Sequence, residues 1–335
     1  MPGVISVPQR CDFDAGSSDA PQFWRRPGCR RNPRRLAPQW RETFAPCRWA
    51  RNAGTTRGEL TASFEVCSNR EMPGQEMFAV ADNLLEALRF FGQARADAEI
   101  RDLPGVSLIF CGLNYAAFNA ALQARPIEGD AQELGRLIDL SAEHFDARSL
   151  RWTYWLCEDF LKQPLRREAA RVFKRHGLRH LTEAPGMYAD RLAPAKRNLP
   201  PLEVRPVSDE ATRAAFAEVM STAFDIPHSV SISVYGAERA WRGTFQGYVG
   251  YSNGRAVTTA AAVITADIIG LYSVATLPQH RRLGFAETIM REVIRRAQET
   301  RGVSRTVLQA TSSGISLYEA MGYRTVTSFN VFIAD

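Results

Sequence analysis

The residues of this 335-residue chain best suited to chemistry lie in one short stretch near its C-terminal end, Arg281-x-x-Gly284-x-Ala286. The stretch falls between a predicted strand and a predicted helix. A strand, a glycine-containing loop and a helix N-terminus direct several main-chain N–H groups and the positive end of the helix dipole at one point, which suits a phosphate or pyrophosphate. Gly284 lets the main chain approach the anion closely, and Arg281 and Arg282 add positive charge. The stretch therefore predicts an anion-binding loop.

Alone, this spacing is a weak signal. In a chain rich in Arg, three loosely constrained positions match about once by chance, and the alternative interpretation is a plain surface turn before a helix. Two features favour the binding loop: it follows a strand that ends at Pro278, and a second pattern lies 34 residues beyond Gly284, Tyr318-x-x-x-Gly322-Tyr323.

The elements that must position these residues are predicted from hydrophobic periodicity and turn signals. The first is a strand over residues 202–207, followed by a helix over 209–224 with Ser208 as a candidate N-cap. Asn253-Gly254 favours the turn of an antiparallel hairpin between residues 244 and 265. The remaining elements are a strand at 267–278, a helix at 287–302 with apolar residues on one face, a strand at 305–310, a short helix at 317–321 and strand-rich residues up to 335.

This order of elements, with the Arg-x-x-Gly-x-Ala loop, the amphipathic helix after it and the sequence SLYEAMGY, resembles the GNAT superfamily of N-acetyltransferases. The resemblance covers residues 202–335, a whole domain, and the combination of motifs is what makes it specific. It implies an α/β fold of the α+β type, in which helices flank a mixed, mostly antiparallel sheet. It also implies acetyl-CoA as the co-substrate and a primary or secondary amine as the acceptor.

The resemblance further implies roles for individual residues. Main-chain groups of the strand hold the pantetheine arm of acetyl-CoA at Val274, Ala275 and Thr276. The loop and the helix N-terminus hold the pyrophosphate through Arg281 and the amides of Arg282, Leu283, Gly284, Phe285, Ala286 and Glu287. Tyr318 falls on the family's usual general acid, and a phenol beside the sulfur can protonate the leaving CoA thiolate. No covalent enzyme intermediate is needed, because the amine attacks the acetyl group directly.

Two positions depart from the family pattern. Thr311 stands where many members have Asn, so the contact that this Asn usually makes near the donor is in question here. Ala286 replaces a commoner Gly, a change that the pattern tolerates. No single residue stands out as the base for the amine. Asp267 and Glu319 are candidates, although a strand-end acid and a solvated helix acid are the favoured interpretations. For Tyr318 the alternative is a core tyrosine whose hydroxyl finds some partner.

Residues 77–190 are predicted to be a degenerate first copy of the same fold. Aligned at an offset of 145, residues 177–190 and 322–335 share Gly, Arg, Thr, Ala and Asp, where about one match is expected by chance. The alignment puts Phe173 where Tyr318 stands, and no Arg-x-x-Gly-x-Gly/Ala loop lies at the matching place. We therefore expect this half to transfer no acetyl group, to pack against the second half and to shape the acceptor cleft.

The elements of this first half are predicted in the same way. They are a helix at 78–94, strands at 104–112 and 114–122, a helix at 130–145, a strand at 151–160, a helix at 167–177 and a strand-like stretch reaching about residue 190. A linker at 191–201, rich in Pro and basic residues, then separates the two predicted domains.

The net positive charge of the chain lies in its first segment. Residues 1–60 hold 11 Arg and 5 acidic residues, whereas residues 61–335 hold 31 basic and 31 acidic residues. Residues 1–70 combine Pro, Gly and Arg without periodicity, which predicts disorder. An arm that binds nucleic acid or lipid is the functional alternative, but the aromatic residues lack regular helical spacing. We favour an unstructured extension, with Met72 or Met77 as an alternative start.

Several other classes of protein are disfavoured. The six cysteines are scattered, and the five histidines have no metal-binding spacing beyond the bare pair His176 and His180, so neither a disulfide framework nor a metal site is predicted. The most apolar window, residues 260–278, has Asp267 near its middle and predicts two strands rather than a membrane span. No signal peptide is recognised. We expect a cytoplasmic protein without a membrane or nucleic-acid partner.

The acceptor is left open by the sequence: a small-molecule or peptide amine fits, and a homodimer is one assembly that remains open. A second hypothesis, from another class, is a non-catalytic module that senses acyl-CoA or binds a protein partner. Tyr318 discriminates between the two hypotheses, because its loss slows turnover only in an enzyme.

Overall fold

The structure, a computed structural model, describes residues 74–334; the predicted extension over residues 1–70 lies outside the described residues. The helices are α1 Gln75–Arg89, α2 Ala131–Asp146, α3 Leu165–Arg175, α4 Glu210–Phe224, α5 His228–Tyr235, α6 Phe285–Arg301 and α7 Ile315–Ala320. The strands are β1 Glu99–Leu103, β2 Val106–Phe110, β3 Ala120–Gln123, β4 Thr153–Cys157, β5 Leu178–Ala189, β6 Glu203–Pro206, β7 Phe245–Ser252, β8 Arg255–Thr265, β9 Ile268–Thr276, β10 Arg305–Gln309 and β11 Arg324–Ala334.

The described strands form one sheet in the order β1-β2-β3-β4-β11-β5-β10-β9-β8-β7-β6. Neighbouring strands are antiparallel except for two parallel pairs, β3 with β4 and β9 with β10. The predicted mixed, mostly antiparallel sheet flanked by helices is therefore confirmed. The window at residues 260–278 holds parts of β8 and β9, as predicted, and in the described part of the chain no helix is long and apolar enough to cross a membrane.

The two halves repeat one succession of elements. In the first half α2, β4, α3 and β5 follow one another, and in the second half α6, β10, α7 and β11 do so. The segments that match at the offset of 145 both follow a helix and form β5 and β11, which lie side by side in the sheet. The sequence echo therefore corresponds to a structural repeat.

The last strand of each half is paired with strands of the other half. β11 lies between β4 and β5, and β5 lies between β11 and β10. One sheet thus runs through both halves, and its centre is made by exchange of these two strands.

The helices cover both faces of the sheet. Apolar side chains of α1, α4 and α5 pack on one face, and those of α2, α3, α6 and α7 pack on the other. Neighbouring residues of one strand show the alternation: Val307 packs with the α1 side and Leu308 with the α6 side. The site described below lies where these layers meet at β9 and β10.

Local sequence explains the turn between β7 and β8 and the start of α4. Asn253 and Gly254 both have positive φ, as the tight turn between β7 and β8 requires. The N-cap of α4 is Asp209, not the predicted Ser208, because the Asp209 carboxylate accepts from the Thr212 N–H at 2.8 Å and forms a capping box. Residues 114–122 were expected to be a strand, but a 3₁₀ turn at Ala116–Phe118 comes before the short β3.

Candidate active site in the second half

The centre of the site is a gap between two parallel strands. β9 and β10 are paired only from Ile268 to Gly270. Beyond Gly270, β10 stays with β5, and the Ala310 N–H donates to the Pro185 carbonyl at 2.8 Å. The edge of β9 from Leu271 onward therefore has no partner strand in the described structure. An unpaired strand edge presents main-chain donors and acceptors to an extended ligand.

A β-bulge shapes this edge of β9. The pairing of β8 with β9 shifts between Thr259 and Ala261, and Ser273 adopts a positive φ of 47°. The Thr259 hydroxyl donates to the Ser273 carbonyl at 2.9 Å, and the Thr258 hydroxyl donates to the Ala275 carbonyl at 2.6 Å. The two buried threonines thus fix the bulge from the β8 side.

Three predicted donor-binding residues follow the bulge. The Leu277 N–H donates to a carbonyl of β8 at 3.0 Å. Since main-chain groups alternate sides along a strand, those of Ala275 also point towards β8, while those of Val274 and Thr276 point towards the gap. Val274 and Thr276 are thus the two of the three predicted residues whose main chain faces the gap.

The predicted anion-binding loop leads from β9 into α6. Gly284 is the N-cap of α6 with φ 100°, and no side chain caps the helix. In the described chain, the main-chain N–H groups of residues 285–287 have no hydrogen-bond partner. A Cβ on Gly284 would lie 2.9 Å from Cδ of Pro200, so only glycine fits here. The open amides and the dipole of a 17-residue helix make the N-terminus of α6 a fit for a pyrophosphate.

The charges around this loop are arranged differently from expectation. The Arg281 guanidinium donates to the carbonyls of Thr276, at 3.2 Å, and Ala223, at 2.9 Å. Arg281 therefore ties the loop to β9 and to the end of α4. Arg282 is exposed at a positive φ of 64°, while the Glu287 carboxylate is buried and held by Arg291 at 2.9 Å.

Tyr318 lies on α7 beside the same gap. Its side chain is buried in the apolar cluster that includes Leu308 and Ala310 of the β10 segment and borders Val274 of β9. The ring packs over Gly314, where a Cβ would come within 2.6 Å of Cε2. Burial raises the pKa of Tyr318 to about 12. The hydroxyl has no hydrogen-bond partner among the described residues, which leaves its proton available to a bound ligand.

Other residues singled out from the sequence lie outside this group. Asp267 lies at the paired end of β9 and forms an ion pair with Arg305, as expected for a strand-end acid. Glu319 is exposed on α7. The Thr311 hydroxyl is 3.1 Å from the Ser313 hydroxyl. Among the described residues, no cluster of three or more His, Cys, Asp or Glu is placed to hold a metal ion.

In the first half, side chains occupy the helix N-terminus that corresponds to that of α6. Asp130 caps α2 and accepts from the Gln132 N–H at 2.8 Å, and the Glu133 carboxylate accepts from the Gly129 N–H at 2.9 Å. Two carboxylates therefore occupy the positive end of this helix and would repel a phosphate.

The strand gap of the first half is closed as well. Beyond the parallel pairing of β3 and β4, Ile127 bridges to Leu161, and its N–H donates to the Phe160 carbonyl at 2.9 Å. Phe173, which corresponds to Tyr318, stacks on Phe332 with ring centroids 3.7 Å apart. The first half has neither an open helix end nor a hydroxyl at this place.

The first half also packs against the face of β9 opposite α6. One apolar cluster joins Phe90 and Phe118 of the first half to Tyr235 on α5 and Ala275 on β9. The Phe118 and Tyr235 rings meet edge to face at 5.8 Å. This wall beside β9 therefore contains residues of both halves.

Comparison with known proteins agrees with this fold. Residues 248–331 match the family model of FR47-like proteins. A GCN5-related N-acetyltransferase from Kribbella flavida superposes with a TM-score of 0.58 and 18% sequence identity, over 77% of this chain and 95% of that chain. The chain has the fold of the GCN5-related N-acetyltransferases. The share of this chain that superposes is larger than the second half alone, so the GNAT fold likeness includes both halves.

A second solved structure also superposes on most of this chain. It is a functionally unknown conserved protein from Staphylococcus epidermidis ATCC 12228, with a TM-score of 0.51 and 13% identity over 70% of this chain and 92% of that chain. No curated protein matches this sequence. The GNAT resemblance predicted from the loop and from SLYEAMGY is thus confirmed at the level of fold.

Sequence reasoning missed three contributors to the site. Thr258 and Thr259 hold the bulge, but their sequence is that of any buried strand. Arg197 approaches the loop from the predicted linker, 85 residues away in sequence from the Arg282 carbonyl that it contacts. No local pattern could have indicated these contacts, because each joins segments that only the fold brings together.

Proposed function

We propose that the protein is an acyltransferase that transfers the acetyl group of acetyl-CoA to an amine, and that the second half carries the reaction. The observation that carries this proposal is the asymmetry between the halves. In the second half, an unpaired strand edge, an uncapped helix N-terminus and a tyrosine hydroxyl lie together. In the first half, the strands are bridged, the helix N-terminus is capped by a carboxylate and a phenylalanine replaces the tyrosine.

The donor would extend along β9 and end at α6. The main-chain groups of Val274 and the main-chain N–H of Thr276 would pair with the amides of the pantetheine arm, since the Thr276 carbonyl already accepts from Arg281. The amides of the first turn of α6, with Gly284 at the closest approach, would bind the pyrophosphate. Arg281 supports this binding by holding the loop in place through its two carbonyl contacts.

The reaction would be a direct attack. The neutral amine nitrogen forms a bond to the acetyl carbon, the carbon–sulfur bond breaks, and the CoA sulfur receives a proton from the Tyr318 hydroxyl. The proton lost by the amine passes to solvent, from which the phenolate is reprotonated. Tyr318 suits this role because burial keeps it protonated and no described side chain competes for its hydroxyl.

The first half would shape the site for the acceptor. Its aromatic residues Phe90 and Phe118 form part of the wall along β9 on the side opposite α6. A small-molecule or peptide amine would enter beside this wall, which contains residues of both halves.

The variant Tyr318→Phe tests the proposed chemistry. With an amine found in a panel of small amines and peptides, we expect kcat to fall about 100-fold or more while the affinity for acetyl-CoA is kept, because only the proton donor is lost. Release of the CoA thiol measures the rate. Tyr323→Phe is the matched control, since Tyr323 is buried 6.1 Å from Tyr318 by ring centroids. An unchanged kcat in Tyr318→Phe would refute Tyr318 as the acid.

A further inference from the structure

The linker between the halves borders both ends of the candidate site. Near its start, the Ala193 N–H donates to the Met321 carbonyl at 2.8 Å, at the end of the helix that carries Tyr318. Near its end, the Pro200 carbonyl accepts from the Thr288 hydroxyl at 3.4 Å, in the first turn of α6. The linker thus runs from the proposed proton donor to the proposed pyrophosphate site.

Arg197 is the linker residue that faces the loop. Its Nη1 lies 3.5 Å from the Arg282 carbonyl, and its Nη2 lies 3.3 Å from the position that a Cβ on Gly284 would take. The side chain is half exposed. A half-exposed guanidinium therefore lies directly beside the uncapped N-terminus of α6.

This placement adds a positive charge to a helix end that is already positive. The N-terminus of a helix carries a positive partial charge, so a cation placed there is destabilised. In the described part of the chain, Arg197 is paired with the Glu287 carboxylate, which is 3.9 Å from Arg197 Nε and is also paired with Arg291 at 2.9 Å. Arg282 adds another positive charge on the exposed side of the loop. A bound dianion would be attracted by each of these positive groups.

We propose that Arg197 is a phosphate ligand of the CoA moiety, so that the linker forms one wall of the donor site. The proposal rests on the proposed donor site in the second half and names a residue that the loop motif does not include. A guanidinium can meet two phosphate oxygens with two parallel N–H donors, which a lysine ammonium cannot do. The connection between the two halves then takes part in binding the donor.

Calorimetric titration of CoA into the full chain tests this role. We expect Arg197→Ala to raise the Kd for CoA by about 10- to 100-fold, and Arg197→Lys to raise it less. Lys196→Ala is the matched control, because it removes a positive charge from the neighbouring exposed position of the linker and should leave the Kd nearly unchanged. Thermal unfolding of each variant shows that the fold is retained.

A second variant separates direct binding from neutralisation of Glu287. If Arg197 only balances that carboxylate, the double variant Arg197→Ala, Glu287→Gln regains the affinity of the parent protein. If Arg197 contacts the phosphates, the double variant stays weak. Recovery of affinity would overturn the proposal.

The outcomes also distinguish this inference from the proposed function. If the parent protein binds CoA and Arg197→Ala binds it equally well, Arg197 is not a ligand and the proposed function stands. If the folded parent protein binds no CoA, both the donor site and the role of Arg197 are wrong.

Discussion

One hydroxyl group distinguishes equivalent positions in the two halves. Tyr318 and Phe173 occupy matching places on α7 and α3, and both side chains are buried. Phe173 is stacked on Phe332, while the Tyr318 hydroxyl has no partner in the described part of the chain. In our account this difference assigns proton donation to the second half alone.

The pH dependence of the rate follows from the raised pKa of Tyr318. A proton donor with a pKa of about 12 keeps its active, protonated form throughout the ordinary pH range. We therefore expect kcat to rise with pH as the acceptor amine loses its proton, and to show no alkaline decline below about pH 11. Reaction rates measured at saturating substrate from pH 6 to 10 give this profile. A decline between pH 8 and 10 that Tyr318→Phe abolishes would mean that the phenol titrates much lower.

Residues in local motifs could be predicted, and residues in distant contacts could not. Gly284 and Tyr318 were identified because each lies in a short pattern tied to a helix end. The main-chain direction of Ala275, the carbonyl contacts of Arg281 and the approach of Arg197 depend on register and on segments far apart in sequence. A single sequence carries no signal for those relations.

At the level of elements, the site depends on where two parallel strands separate. β9 and β10 pair for three residues and then part, and a bulge at Ser273 turns the free edge of β9. In the first half the equivalent separation is bridged by Ile127 and Leu161. The same pair of strands therefore forms an open site in one half and a closed core in the other.

The variant Thr259→Val tests the bulge. It keeps the side chain's shape but removes the hydroxyl that donates to the Ser273 carbonyl. We expect the free energy of unfolding to fall by about 1 kcal/mol and the Kd for acetyl-CoA to rise several-fold, because the edge of β9 loses its fixed direction. Thr306→Val, a buried threonine on β10, is the control for stability alone. Equal affinities in the two variants would show that the bulge does not shape the donor site.

Elements with strong periodicity or turn chemistry were predicted well. The hairpin of β7 and β8 and the helix α6 follow from Asn253-Gly254 and from the apolar face of residues 289–297. β1 and α5 were missed, because β1 is half exposed without alternation and α5 is only 8 residues long. Their pairing and packing partners, rather than local sequence, stabilise them.

At the scale of the whole molecule, the two halves are joined by exchanged strands. Among the described strands, β11 is paired with β4 and β5, which both belong to the first half. It buries Phe329, Val331 and Ile333 almost completely. The domain boundary predicted at residues 191–201 stays a prediction, and a cut there would leave β11 without either partner strand.

Separate expression of the halves tests this dependence. We expect residues 74–201 and residues 202–335 each to be insoluble or unfolded alone, because unpaired strands with apolar faces aggregate. Co-expressed, the two fragments should purify together in a 1:1 complex. Circular dichroism and size-exclusion chromatography measure both outcomes. A monomeric second fragment with cooperative unfolding would contradict the account of exchanged strands.

The most direct test of the central claim is calorimetric titration of acetyl-CoA into the full chain, beside the variant Gly284→Asp. The account predicts one site per chain, since the first half is closed, and no binding by the variant. The substituted carboxylate would stand at the positive φ of the N-cap and against the phosphates. Two sites per chain would contradict the closed first half. No binding by the folded parent protein, or equal binding by Gly284→Asp, would contradict the donor site at α6.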